Sequence, residues 1–155
     1  MKQIVLISPA YRSKLLEKVR VLALPPLNLA ILASHTPSQY QVRIIDEAFE
    51  DIDYDLDADL VGITCMTPLA PRAYEISREF RKRGVPVVLG GIHASMVTED
   101  AARHADAVVV GEGEEIWPRR LEDFAAGGLQ PIYRAAQRPD LAKALPPRRE
   151  LLNNR

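Results

Sequence analysis

The stretch that most constrains this chain is residues 58–95, ADLVGITCMTPLAPRAYEISREFRKRGVPVVLGGIHAS. Its pattern is strand, helix, strand. Residues 59–64 are apolar, with β-branched members, and end in small polar side chains; residues 85–89 are rich in Val and Leu and stop at Gly90-Gly91. Between them Ala73, Ile76 and Phe80 fall at helical spacing, Glu79 and Arg83 are four apart, and Gly84 is a natural C-cap. Apolar strands joined by a helix of this length pair in parallel, within a sheet covered on both faces. The polar and glycine residues then gather at the carboxyl ends of the strands, the edge where open α/β sheets hold ligands. Thr64, Cys65, Met66 and Thr67, with Gly90, Gly91, Ile92 and His93, are the candidate binding residues.

The remaining chain repeats this alternation. Residues 4–7 form a buried first strand that Ser8-Pro9 ends. Residues 9–25 are irregular and basic, with a weak helical pattern at Leu15, Leu16 and Val19; a connection of this length is functional or mobile in a compact domain. Pro25-Pro26 opens a helix, because the missing N–H of proline needs no partner in a first turn. Leu27, Ala30, Ile31 and Ser34 would be its packing face. Residues 41–45 make a second strand. Residues 99–104 form a short helix and residues 106–110 a fifth strand, followed by Gly111-Glu112-Gly113-Glu114 and a helix through Trp117 and Leu121 to Phe124. Ile132-Tyr133-Arg134 is a candidate edge strand. From Gln137 onward proline and arginine dominate, the composition of an extended linker. The expectation is a flavodoxin-like (Rossmann-like) doubly wound α/β domain, five parallel strands in the order 2-1-3-4-5, with helices on both faces.

Composition removes several classes of function. The 155 residues are 47% apolar and 26% charged with a net charge of −1, so no strong field recruits nucleic acid. No apolar run approaches the roughly 20 residues of a membrane span, and the start MKQIVLIS has too short an apolar core for a signal peptide. The single cysteine excludes an internal disulfide, fits a reducing cytoplasm, and excludes a cysteine-ligated cluster within these residues. The acidic residues of 48–57 read as a solvated connection; a divalent-cation site is disfavoured because Ile52, Tyr54 and Leu56 split the carboxylates and no glycine turn accompanies them.

The strand ends exclude other uses of the fold. A phosphate-accepting receiver domain needs an aspartate where Thr64 stands and an acidic pair where Ser8-Pro9 stands. A dinucleotide site needs a glycine-rich first turn, and the residues there are Ser8-Pro9-Ala10-Tyr11. Flavin mononucleotide would want a richer Ser/Thr cradle than Ser8 and Ser13. No paired acid and base or activated nucleophile is visible. His93 reads first as a helix-entry residue and Cys65 as a small strand-end filler; an enzyme with a Cys65 nucleophile is the least favoured alternative. Gly90-Gly91 has two readings, a close helix contact or a backbone cleared for a bulky ligand, and so does Gly111-Glu112-Gly113.

Asp59-Leu60-Val61-Gly62-Ile63-Thr64, Thr67-Pro68, Gly90-Gly91-Ile92-His93-Ala94 and Gly111-Glu112-Gly113-Glu114, together with Pro25-Pro26-Leu27-Asn28-Leu29-Ala30, closely resemble the N-terminal cobalamin-binding domain of the B12-dependent radical SAM enzymes. The anaerobic magnesium-protoporphyrin cyclase and the hopanoid methylases share this layout. The resemblance extends over most of residues 3–134. It implies cobalamin lying over the strand ends, its dimethylbenzimidazole tail swung away from cobalt and running down between the sheet and a helix. Gly90 and Gly91 would leave room for that tail. Thr64 and Met66 would stand where methionine-synthase-like domains carry a Ser-x-Leu pair, and Gly111, Glu112 and Gly113 would flank the nucleotide side. Ser8, Pro9, Tyr11 and Arg12 of the first loop would complete the cofactor contacts, with Arg20 a further candidate.

Two departures shape the expectation. Methionine-synthase-like domains place a cobalt-binding histidine between the first strand and helix; residues 8–27 contain none. The resemblance therefore implies base-off cobalamin without a histidine ligand, and no residue is assigned as a metal ligand or as catalytic. The cluster-binding Cys-x-x-x-Cys-x-x-Cys is also missing, because Cys65 stands alone. SAM and [4Fe–4S] would belong to a C-terminal barrel, in cis or in trans. Residues 1–135 would be the cobalamin-binding domain and 136–155 a Pro/Arg-rich linker toward that barrel, in either an excised domain or a standalone carrier. Either would bind without catalysing. The alternative is a regulatory or interaction domain with a vestigial groove.

Overall fold

The computed structural model describes residues 1–10 and 24–152. Strands β1 (Lys2–Ser8), β2 (Tyr40–Asp46), β3 (Leu60–Thr64), β4 (Val87–Gly90), β5 (Ala107–Val110) and β6 (Ile132–Arg134) form one sheet. Their order is β2-β1-β3-β4-β5-β6, and every neighbouring pair is parallel. The helices are α1 (Leu27–Ser34), α2 (Ala70–Lys82), α3 (Ile92–Met96), α4 (Thr98–Arg103) and α5 (Ile116–Ala125). This is the flavodoxin-like doubly wound class, with one strand more than the five expected. The sixth is the candidate edge strand Ile132-Tyr133-Arg134, β6, whose three residues pair in parallel with Val108, Val109 and Val110. Among the described residues no helix is long and apolar enough to cross a membrane.

Period-two alternation along each strand divides the core into two layers. Val5, Ile7, Val61, Ile63, Val87 and Leu89 pack against Ala73, Ile76 and Phe80 of α2, with Ala94 and Ala101 from α3 and α4. Ile4, Leu6, Leu60, Val88, Ala107 and Val109 pack against Leu29, Ala30 and Ala33 of α1 and Trp117 and Leu121 of α5. Helix α2 buries the stripe its spacing predicts. Helix α1 does not: Leu27 is exposed, and Leu29, Ala30 and Ala33 form the buried face. The eight residues LNLAILAS are apolar nearly all round, so periodicity cannot choose a side.

Three further segments refine the sequence reading. Ile52 is buried in the α2 layer and Tyr54 and Leu56 pack against it, while Glu50 pairs with Arg43 at 3.1 Å and Asp55 pairs with Arg83. Among the described residues no group of three or more His, Cys, Asp or Glu is arranged to hold a metal ion. A short helix, α3, begins at Ile92, so His93 stands at a helix entry, as its sequence position suggested. After β6 the chain comes back to the domain: the Arg148 N–H donates to the Ala30 carbonyl at 3.0 Å, and Leu151 and Leu152 pack against the α1/α5 layer. These residues are docked on the domain, whereas their Pro/Arg-rich composition suggested an extended linker.

Candidate functional site

On the α1/α5 face two neighbouring strands present a position without a side chain. Gly62 of β3 faces this layer between Leu60 and Thr64, and Gly90 of β4 lies opposite Thr64 in the ladder. The omission leaves a cavity of about 360 Å³ between the sheet, α1 and the start of α5. Leu29, Leu32, Val88, Val109 and Trp117 form its apolar wall. A Cβ on Gly62 would come within 2.8 Å of Leu6 Cδ2 and 3.5 Å of the Trp117 ring, and one on Gly113 within 3.2 Å of Leu32 Cδ1. A Cβ on Gly90 would meet only Val109 Cβ, at 3.7 Å; a longer side chain there would grow into the cavity.

The cavity opens at the carboxyl edge of the sheet, where its polar side chains are. Asn28, Thr64, Glu112 and Glu114 line it there, and the Asn28 amide nitrogen donates to Thr64 Oγ1 at 2.9 Å. Among the described residues the interior offers no comparable group, since the Trp117 ring N–H donates to Thr36 Oγ1 at 2.8 Å and is thereby held in place.

Gly91 has a different role from Gly90. Its φ is +94°, and a Cβ would stand 2.9 Å from the Cys65 carbonyl oxygen and 3.0 Å from the Cys65 nitrogen. The two strand ends are laced there: Cys65 N–H donates to the Gly90 carbonyl at 2.8 Å, and His93 N–H to the Cys65 carbonyl at 3.0 Å. Gly91 lines the cavity mouth, but this close approach and its left-handed backbone are what require glycine.

The other expected residues divide by position. Thr64, Gly90, Gly91, Gly111, Glu112 and Gly113 line the cavity. Cys65 is buried in the opposite layer, where burial pushes its thiol up to about 11. It is therefore a neutral thiol at physiological pH, not an activated nucleophile. Met66 and Ile92 stand exposed at the carboxyl edge, 53% and 69% accessible. Thr67 and His93 belong to a hydrogen-bonded chain on the α2 side. Tyr74 O–H donates to Asp100 Oδ2 at 3.0 Å, so its oxygen accepts from His93 Nε2–H at 3.0 Å, and His93 Nδ1 accepts from the Thr67 hydroxyl at 3.3 Å. Burial, reinforced by the Asp100 carboxylate, holds the Tyr74 phenol well above its ordinary range. Both His93 ring nitrogens are thus engaged.

Ser8 and Pro9 end β1 away from the cavity lining. The turn is anchored by Glu47, whose backbone N–H donates to the Ser8 carbonyl at 3.0 Å and whose Oε2 accepts from Ala10 N–H at 3.0 Å. Arg72 clamps the same buried carboxylate at 2.9 and 3.1 Å. Tyr11, Arg12 and Arg20, and the helical pattern at Leu15, Leu16 and Val19, lie outside the described residues. Sequence reasoning missed Asn28, Gly62 and Trp117. Gly62 carried a signal, a glycine inside an otherwise β-branched strand, which marks close approach of another group.

Residues 15–120 match the family model described as the B12 binding domain. The chain belongs to this family. Among curated relatives it is 49% identical over 120 residues to a bacteriochlorophyllide d C-8(2)-methyltransferase of Chlorobaculum tepidum, covering 77% of this chain and 26% of that protein. It is 32% identical over 124 residues to the bacteriochlorophyllide d C-12(1)-methyltransferase of the same organism, covering 79% and 27%. An uncharacterised methyltransferase of Pyrococcus horikoshii is 34% identical over 116 residues, covering 66% and 25%. The chain therefore spans about a quarter of the length of these relatives. The cavity is a slot between sheet and helix, open at Gly90, apolar within and polar at its mouth, the kind of concave apolar site that small molecules occupy.

Proposed function

We propose that this chain binds cobalamin base-off, with the dimethylbenzimidazole tail in the cavity between Gly62, Gly90 and Trp117 and the corrin ring over the carboxyl edge of the sheet. The observation that carries this reading is the apolar cavity lined by Gly62, Gly90 and Trp117, left open at Gly90, which stands level with Thr64. Exposed Met66 and Ile92 offer apolar contact to a ring resting on that edge. Thr64, Gly90, Gly91, Gly111, Glu112 and Gly113 are the proposed tail and nucleotide contacts.

The absence of a histidine ligand is part of the same proposal. His93 spends both ring nitrogens on Thr67 and Tyr74, His104 is stacked on Tyr74 at 3.9 Å, and His35 caps the end of α1. These are the three histidines of the chain. Cobalamin, when bound, supplies a cobalt centre able to carry a transferable methyl group. The chain's own residues hold and orient the cofactor and keep water from its tail.

For the whole protein we propose methyl transfer to a bacteriochlorophyllide-type substrate, on the names of the relatives, with SAM and [4Fe–4S] held by a radical SAM domain outside these residues. Residues 1–135 form the cofactor module in this proposal, and 136–155 lead toward that domain. A formed, apolar cavity favours a working cofactor site over a vestigial groove.

The test is titration of the purified chain with hydroxocobalamin, followed by gel filtration and an absorbance spectrum. One equivalent co-eluting with a base-off spectrum, unchanged by His93→Ala, is expected. A base-on spectrum would overturn the placement of the tail. Absence of retention would overturn cobalamin binding by this chain.

A further inference from the structure

The cavity is chemically graded from mouth to floor. Thr64 and Gly90 stand level at the mouth, and Gly62 and Val88 stand level two residues deeper, about 7 Å down at the rise of a strand. Such a depth takes a bicyclic heteroaromatic edge-on. Its far end would rest among Val88, Leu29 and Trp117, all at most 4% exposed, with no free hydrogen-bonding side chain among the described residues. At the mouth the Thr64 oxygen already accepts from the Asn28 amide at 2.9 Å. The hydroxyl proton of Thr64 is thereby left to donate, and a group entering beside it is met by a donor.

We propose that this cavity selects among corrinoids by their lower base. It favours a benzimidazole over a purine or a phenol, and Asn28 is the positioning residue that aims the Thr64 hydroxyl. This rests on the cobalamin reading above and adds a specificity to it. A benzimidazole displaced from cobalt presents one bare ring nitrogen, which takes the Thr64 proton, and a hydrocarbon far edge, which suits the floor. A purine base carries ring nitrogens or an exocyclic amine on its far edge. Buried against Val88 and Trp117, those groups leave water and find no partner. A phenolic base suits the floor but offers no ring nitrogen to Thr64.

The experiment compares the affinity of the chain for hydroxocobalamin, for the corrinoid with an adenine lower base and for the corrinoid with a phenol lower base, by absorbance or fluorescence titration. The adenine form is expected to bind roughly ten- to a hundredfold more weakly than cobalamin, the ratio for a buried polar group left unpaired. Val88→Thr, which adds a hydroxyl partner at the floor, should narrow that gap. Asn28→Leu changes an exposed residue; it should weaken cobalamin several-fold and leave the phenol form unchanged. Equal affinity for the adenine form, or an equal loss for all three corrinoids in Asn28→Leu, would overturn the selectivity while leaving cobalamin binding intact. Failure of every corrinoid to bind would overturn both readings together.

Discussion

Arg120 gives the sharpest energetic test of this structure. It lies on α5 with no exposed surface, and among the described residues none of its three guanidinium nitrogens has a hydrogen-bond partner. The guanidinium stacks over the Tyr133 ring at 4.1 Å and lies 6.0 Å from Trp117. Burial pulls its pKa from 12.5 down to about 10, with Tyr133 and the Asp123 carboxylate opposing the fall. At 1.36 kcal/mol per pH unit, that fall means the buried charge costs about 3 kcal/mol. The group is a base with a depressed folded-state value. The penalty is therefore fully present below about pH 10 and is relieved only as the pH rises from there toward 12.5. Stacking on Tyr133 returns roughly 1 kcal/mol. Arg120→Met keeps the length of the stem and removes the charge, so we expect a gain of about 1–2 kcal/mol at pH 7. At roughly 2–4 °C per kcal/mol for a chain of this size, Tm should rise by about 2–8 °C. Arg120→Lys, whose ammonium is more strongly hydrated and cannot stack as a plane, should lower it. Thermal and urea unfolding followed by circular dichroism would measure both variants. A fall of several degrees in Arg120→Met would refute the reasoning, because it would mean the guanidinium is paired in the folded protein.

Gly91→Ala should cost about 2–3 kcal/mol, read as a lower urea midpoint, because its φ of +94° and the Cys65 carbonyl 2.9 Å from the new Cβ both oppose a side chain. Gly90→Phe should behave oppositely: Tm within a few degrees of the parent but cobalamin retention lost on gel filtration, since the ring fills the cavity beside Val109. With its thiol pushed up to about 11 by burial, Cys65 should react with iodoacetamide at pH 8 far more slowly in the folded chain than in urea, followed by mass spectrometry.

The parallel sheet was legible because its strands are short apolar runs set between turn residues, and because α2 carries an unambiguous helical stripe ending at Gly84, whose φ is +76°. What escaped lies where local pattern carries little information. Helix α1 is apolar on every side, so its buried face follows from the sheet it meets and not from its own spacing. Strand β6 was legible as a candidate at Ile132-Tyr133-Arg134; only its place as a sixth member of the order escaped, because three residues are held by pairing with β5. The segment after it has the composition of a linker, and its return to α1 rests on one backbone hydrogen bond to Ala30 and two leucines. The buried clamp of Arg72 on Glu47 joins residues 25 apart in sequence, so no short motif announces it.

The site was legible as an edge but not as a cavity, and the reason is geometric. In sequence Gly90 and Gly91 form one motif, and a single explanation for both is natural. In the structure their work separates, because β4 ends at Gly90 and Gly91 turns the chain into α3 with φ +94°. Gly90 is an omitted side chain over the α1/α5 layer, whereas Gly91 is a backbone position pressed against Cys65. The true counterpart of Gly90 is Gly62, which is 28 residues earlier and carries no motif of its own. Only the ladder register, Gly62 opposite Val88 and Thr64 opposite Gly90, shows that the two omissions share a face and adjoin. Gly62 makes room for the Leu6 and Trp117 side chains beside the cavity, and Gly90 leaves the cavity itself open; on opposite faces the same two would make two minor packing defects. Parity along β3 and β4, set by the apolar alternation that builds the core, is therefore also what opens the cofactor slot. A one-residue slip of β4 against β3 would turn Gly90 to the α2 side and bring Leu89 or Gly91 over the trough, so the register that stabilises the fold and the shape of the site stand or fall together.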